Sequence, residues 1–224
     1  MKKIPTEIKE NLQFLCVEID AQLATLSSYY RNPSASLARK VRDRAGYAYN
    51  LKTRIHTATV NRIAAGVEHD SDKFCLRCIE FIATDIERIA EICRHCITQS
   101  EQIDDAQALM SKAFIAIVKK VRQAIKLILP AVIERKSSIA LDIEQINQGL
   151  RSSHQRLIKR YVSALKKQTQ TKQLTQALFV AYEMKQFDDA LLRISETIVS
   201  ANVGQPINFE RYYSFQSLIS DVEK

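Results

Sequence analysis

Glycine and proline are scarce, with four of each in 224 residues. Sandwiches, barrels and α/β folds turn every dozen residues or so, and turns consume Gly, Pro and Asn. This chain cannot supply them. It can supply long helices joined by few connections. The sequence contains no G-x-G-x-x-G fingerprint and no P-loop, which disfavours the common nucleotide-binding chemistries. It has no uncharged apolar run of about 18 residues, so no membrane span is expected. The opening Met1-Lys2-Lys3-Ile4-Pro5-Thr6-Glu7 carries basic residues without an apolar run behind them. That is not the pattern of a signal peptide. The five cysteines are an odd count. They read as reduced thiols of a cytoplasmic protein rather than a disulfide framework.

What the chain does contain is ordinary globular material. Hydrophobic residues make up 46% and charged residues 26%, which excludes global disorder. The length suits one large domain or two small repeats. The formal net charge of +8 is unevenly placed. Residues 105–173 hold 14 Lys and Arg against 4 Asp and Glu, a net of +10, and the remainder holds 19 against 21, a net of −2. Such a field draws in an acidic protein face, an anionic lipid surface or a nucleic acid. Solvated helix faces account for it as well.

Apolar residues recur at helical spacing almost throughout. Ile79, Ile82, Ile86, Ile89, Cys93 and Cys96 advance in steps of three and four, which puts them on one helix face. Met110, Ala113, Phe114, Ile117, Val121, Ile125 and Ile128 form a second stripe. Leu178, Ala181, Met184 or Tyr182, Leu191, Ile194 and Ile198 form a third.

The interruptions are few. Asn32-Pro33-Ser34 separates a first helix from a second, with Asn32 a candidate N-cap and Pro33 at the first helical position. The polar run 66–72 ends the second helix, and 98–104 is a softer break. Leu129-Pro130 is expected to break or kink the fourth helix. The run 166–173 has no apolar residue and reads as a loop, and Gly204-Gln205-Pro206 ends the sixth helix. The tail holds Phe209, Tyr212, Tyr213 and Phe215, which predicts that it packs on something. The expected architecture is all-α: two tandem antiparallel three-helix bundles of six long helices, over 1–103 and 104–207, with a C-terminal tail over 208–224. Weak internal repetition agrees. The run from Phe81 (FIATDIERIAE) and the run from Phe179 (FVAYEMKQFDD) share Phe, Ala and acids at the fifth and eleventh places.

Asp85-Ile86-Glu87-Arg88-Ile89-Ala90-Glu91 resembles the D-L-E-R-I-G-D signature of the PhoU family, regulators tied to phosphate uptake and built from two three-helix-bundle repeats. Ser36-Leu37-Ala38-Arg39-Lys40-Val41 resembles the opening of that family's second helix. His69-Asp70-Ser71-Asp72 falls at its short loop before the third helix, and the run 174–181 is similar to the entry into its second signature. The resemblance covers most of residues 5–210.

Members of that family carry acidic motifs that gather metal ions on the bundle surface. The chemistry needs carboxylates one helical turn apart, so that two oxygens meet one hard cation. Here the first signature keeps Glu87 and Glu91, but the facing positions hold Ala45, Tyr49 and Lys52. In the second repeat, at a register shifted by one residue, Asp189 is the remaining acid and the facing positions fall near Asn147, Arg151 and His154. Glu87, Glu91 and Asp189 are thus the candidate metal remnants. The expectation is that the family's metal clusters are lost and that no cofactor is bound. A surface salt-bridge role for Glu87 and Glu91 with Arg88, Lys52 or Arg94 is the alternative.

Cys75-x-x-Cys78 and Cys93-x-x-Cys96 lie fourteen residues apart, close to a four-cysteine zinc pattern. The stripe between them is unbroken. If it is helical, the pairs sit roughly 27 Å apart at ~1.5 Å per residue, so core thiols are expected. His56, His69, His95 and His154 are scattered. No nucleophile–base arrangement is readable, and the expectation is a protein that is not an enzyme. The basic residues Lys119, Lys120, Arg122, Lys126, Arg156, Lys159 and Arg160 form one cationic face if the fourth and fifth helices are antiparallel neighbours. Only Tyr161 lies nearby for stacking, which makes a nucleic acid a weaker partner than an acidic protein or an anionic membrane surface.

The resemblance implies a non-catalytic regulator of phosphate uptake or phosphate signalling. It implies helix-face contact with a membrane transporter or sensor kinase at the cytoplasmic membrane surface, with peripheral membrane contact and a homodimer. The rivals are a divergent helical scaffold and a nucleic-acid or polyanion binder using residues 105–173.

Overall fold

The computed structural model describes residues 4–104, 106–167, 171–209 and 211, with only the backbone of 106–111 described. Six helices follow one another: α1 (Thr6–Arg31), α2 (Ala35–Ala64), α3 (Asp70–Ser100), α4 (Ala106–Glu134), α5 (Ser137–Leu165) and α6 (Thr171–Val203). Among the described residues there is no strand, and no helix is long and apolar enough to cross a membrane. The fold is all-α.

The stripes fall where the spacing puts them. Ile79, Ile82, Ile86, Ile89, Cys93 and Cys96 are all buried along one side of α3. On α4, Phe114, Ile117, Val121, Ile125 and Ile128 are buried, while the side chain of Met110 lies outside the described residues. On α6 the buried member is Met184, and Tyr182 is half exposed. α1–α3 pack on one another, as do α4–α6, and the two sets join because α1 lies against α4 and α3 against α6. One apolar core runs through both sets. Tyr30 of α1, Phe114 of α4 and Tyr161 of α5 carry it across as a line of rings, with centroids 5.4 Å and 6.3 Å apart.

Helix ends follow local chemistry, with three departures from expectation; in one, α6 already begins at Thr171, inside the run 166–173 expected to be a loop. Ser34, not Asn32, caps α2: its hydroxyl accepts from the Leu37 amide at 3.3 Å, and α2 begins one residue later. Pro33 lies before the cap. Pro130 does not end α4, which continues to Glu134 with Ala131 and Val132 still buried. Burial of that last turn offsets one missing amide. The stop comes at Arg135, whose φ of 54° is left-handed. Gly66 and Gly204, with φ of 93° and 83°, supply the same conformation after α2 and α6. Phe209 is buried after α6, and its amide donates to Glu196 Oε1 at 2.8 Å. Tyr212, Tyr213 and Phe215 lie outside the described residues.

Candidate functional site

α3 and α6 run antiparallel, and two charge pairs mark their seam. Asp85 meets Arg193, with Nη2 at 2.7 Å and Nε at 2.8 Å. His95 Nδ1 lies 3.6 Å from Glu183. In the register that sets Phe81 on Phe179, Asp85 falls on Glu183 and His95 on Arg193. The two contacts are one pair written twice and exchanged by a pseudo-two-fold axis through the seam. Burial pushes the Asp85 carboxyl above the usual range, and Arg193 and Arg88 pull it partly back.

Each third helix faces its second helix across a polar strip where the family resemblance places carboxylates. In the first half, Glu87 is half-buried. Desolvation raises its pKa foremost, Lys52 opposes, and Glu91 pushes it up. The Lys52 ammonium lies 4.4 Å from the centre of the Tyr49 ring. Glu91 is taken by Arg94 at 2.6 Å, and Ala45 is buried. Glu87 therefore has an ammonium opposite it, not a second carboxylate.

The second half is more deeply polar. His154 of α5 is 1% exposed, and its Nδ1 lies 2.9 Å and 3.0 Å from the two oxygens of Asp188 on α6. Asn147 Nδ2 donates to Glu144 Oε2 and to the Asp188 carbonyl, both at 3.1 Å. Arg151 reaches Glu144 at 3.5 Å. The acid turned inward is Asp188; Asp189 is exposed. Asp189 is the second-half equivalent of Glu91 in the register that sets Phe81 on Phe179, and it lies on the surface beside the buried Asp188. The missed signal was position. Asn147, Leu150, His154, Leu157 and Tyr161 are one buried stripe, and so are Met184, Phe187, Asp188 and Leu191. A polar side chain on an apolar stripe needs a partner.

Neither strip resembles a cluster of carboxylates around a cation. Lys52 faces Glu87, Arg151 holds Glu144, and Asp188 is already held by His154. No group of three or more His, Cys, Asp or Glu suited to a metal occurs among the described residues. Cys75, Cys78, Cys93 and Cys96 are free and buried along a continuous α3. Burial drives the Cys93 and Cys96 thiols well up and lifts Cys78 to about 11, the behaviour of inert core thiols.

Of the seven basic candidates, two are turned to internal work. Arg122 makes a bidentate pair with Asp20 of α1, both bonds 2.9 Å. That contact, first through its hydrogen bonds, holds the Asp20 carboxyl below its usual range. Lys120 donates to the Gly149 carbonyl at 2.7 Å and to Ser153 Oγ at 3.0 Å. It lies so near α5 that a Cβ at Gly149 would meet its Nζ at 3.3 Å. Lys119, Lys126, Arg156, Lys159 and Arg160 are exposed. Arg156 comes within 3.5 Å of the same Ser153 hydroxyl as Lys120, so part of the α5 charge lies beside α4.

No family model matches the chain, and no curated protein matches it in sequence. Solved structures do. PhoU from Pseudomonas aeruginosa is 15% identical, with 88% of this chain and 96% of that one covered at a TM-score of 0.75. The phosphate transport system regulatory protein PhoU from Streptococcus pneumoniae is 17% identical, with 90% and 96% covered at a TM-score of 0.82. Six helices in two mutually packed sets of three, joined through α1–α4 and α3–α6, are therefore a PhoU-like fold.

Proposed function

We propose that this chain is a non-catalytic regulator of phosphate uptake or phosphate signalling. It acts in the cytoplasm by laying a helix face on a membrane transporter or sensor kinase and biasing that partner's state. The observation that carries the reading is the fold: nearly the whole chain superposes on a protein named as a phosphate transport system regulator. The α4–α5 surface is the docking face in this reading. Its exposed Lys119, Lys126, Arg156 and Arg160 suit an acidic partner and the anionic inner leaflet beside it. Peripheral membrane contact and a homodimer belong to the same reading. So does the loss of the metal clusters, since Lys52 and Arg151 set positive charge where a cation would have to sit.

Affinity purification from solubilised membranes tests it. A phosphate permease or a phosphate-responsive sensor kinase should co-purify. Replacing Lys119, Lys126, Arg156 and Arg160 by Gln should cut its yield by about tenfold. Recovery of neither partner, or equal recovery with the quadruple variant, would overturn the reading. One observation favours a second reading, a polyanion binder: the net +10 of residues 105–173. A DNA or RNA titration at two salt concentrations separates them, since non-specific polyanion binding falls steeply with salt.

A further inference from the structure

A groove of about 310 Å³ opens between the first half of α3 and the last turns of α6. Its α3 wall is Phe74, Cys78 and Phe81, which follow at steps of four and three and so share one helix face. Thr197 lines it from α6, and Pro206 and Ile207 close it from the chain that follows α6. Phe81 stands on the rim, 51% exposed, with the Arg77 guanidinium 5.3 Å from the centre of its ring. An exposed phenyl ring at the edge of an apolar groove costs free energy that a covering group recovers.

Two hydrogen bonds bring the C-terminal chain to this groove. The chain turns at Gly204, in the left-handed conformation already noted. The Ile207 amide then donates to Ser200 Oγ and the Phe209 amide to Glu196 Oε1, both at 2.8 Å. Ser200 and Glu196 line the same groove. Asn208 Oδ1 accepts from the Arg211 amide at 3.0 Å, which is the side-chain cap of a helical turn. The chain thus reaches Arg211 only two residues after a bond to the groove's own lining. Thirteen residues, 212–224, follow outside the described residues. Six of them are Tyr212, Tyr213, Phe215, Leu218, Ile219 and Val222, and the three rings come first. A cavity of about 150 Å³ admits one benzene ring, so this groove has room for about two.

We propose that the α3–α6 groove is the docking site of the chain's own C-terminal segment, with aromatic side chains from the run Tyr212-Tyr213-Ser214-Phe215 seated against Phe74 and Phe81. The tether decides between occupants. A segment joined to the groove by a few residues acts at an effective concentration of about millimolar, and a separate apolar partner has to displace it. Seated there, the segment fastens the chain after α6 onto α3, and so joins the end of the second repeat to the first. The site shares no residue with the α4–α5 docking face, so either reading can fail without the other.

The experiment is hydrogen exchange on the purified full chain, read by mass spectrometry on peptides from 205–224 at several protein concentrations. Amides of 212–218 should exchange at least about tenfold more slowly than in a free synthetic peptide of residues 205–224. That protection should not change with protein concentration. Phe81→Asp and Thr197→Arg place charge on opposite walls of the groove. Each should remove the protection while leaving the helical signal and the exchange of α1 and α4 unchanged, and if one of them fails to fold the other decides. Phe179→Asp, at the equivalent and likewise exposed position of α6, should leave the protection intact. Exchange of the parent at the free peptide's rate, or protection that survives the wall variants, would overturn the proposal. So would protection that grows with protein concentration as the chain self-associates, since that assigns the segment to a second copy.

Discussion

The two halves fill the same structural position with different chemistry. In the register that sets Phe81 on Phe179, Ala90 of α3 falls on Asp188 of α6, and both backbone carbonyls receive a buried amide. In the first half the amide is Gln22 from α1, which also reaches the Val41 carbonyl, at 3.1 Å and 2.8 Å. In the second it is Asn147 from α5. Around this shared point the first half is apolar, with Ala90, Ala45 and Cys93 buried, and its buried acid, Asp85, sits at the α3–α6 seam against Arg193. The second half sinks Glu144, Asn147, His154 and Asp188 into the interior. Both carbonyls already accept an amide of their own helix, and the difference teaches that each half uses the second lone pair there to anchor a buried amide, drawn from a different helix in each.

The sharpest way to break this comparison is to remove one side chain facing an acid in each half. His154→Leu leaves Asp188 buried and unpaired, and should cost about 3–5 kcal/mol in urea unfolding. Lys52→Leu removes a surface ammonium and should stay within about 0.5 kcal/mol. Equal effects would mean that the halves do not differ in the way described. Next in size are the thiols peculiar to the first half. Cys93→Ser and Cys96→Ser each place a hydroxyl in a dry seam and should cost about 1–3 kcal/mol. Both thiols should react with a maleimide far more slowly in native protein than in urea.

The smallest effects sharpen the two seams between the halves. Asp20 at α1–α4 has a lowered carboxyl. Its pair with Arg122 stabilises the fold above the ordinary carboxylate range and is lost as pH falls through the depressed folded value. Asp85 at α3–α6 is raised, so its sign is opposite: acidification into the window just above the ordinary carboxylate range relieves a burial cost. Urea melts of Asp20→Asn and Asp85→Asn between pH 3 and 7 read this out. Asp20→Asn should flatten the acid-side loss, and Asp85→Asn should steepen it, each by about 1 kcal/mol or less.

Much of this was legible in the sequence, for a physical reason. The Ile79–Cys96 stripe and the scarcity of glycine are local signals, and long helices are local structures; the loop read over 166–173 ran too far, since α6 already begins at Thr171 and 168–170 lie outside the described residues. The same periodicity showed that the two cysteine pairs could not converge. The ambiguity between Tyr182 and Met184 was a choice between neighbouring faces that packing alone settled. Pro130 does not break α4 because its local cost is real but the buried last turn of the helix outweighs it. The site was harder. Asp188 and Asp189 are adjacent and chemically identical, and the resemblance drew attention to the exposed one, while the buried pair of Asp188 with His154 depends on a contact between α5 and α6. Arg122–Asp20 and Arg193–Asp85 join residues far apart in the chain, and nothing in either segment announces its partner. Lys120 and Arg122 looked like surface charge because the sequence does not show which lysine lies across a glycine.

The ring line from Tyr30 through Phe114 to Tyr161 has a consequence for how the molecule comes apart. It threads the first, fourth and fifth helices, so severing the chain between α3 and α4 would leave each fragment with a bare aromatic face. Heat should therefore melt the protein in a single cooperative event, with no stage at which one repeat survives its sister.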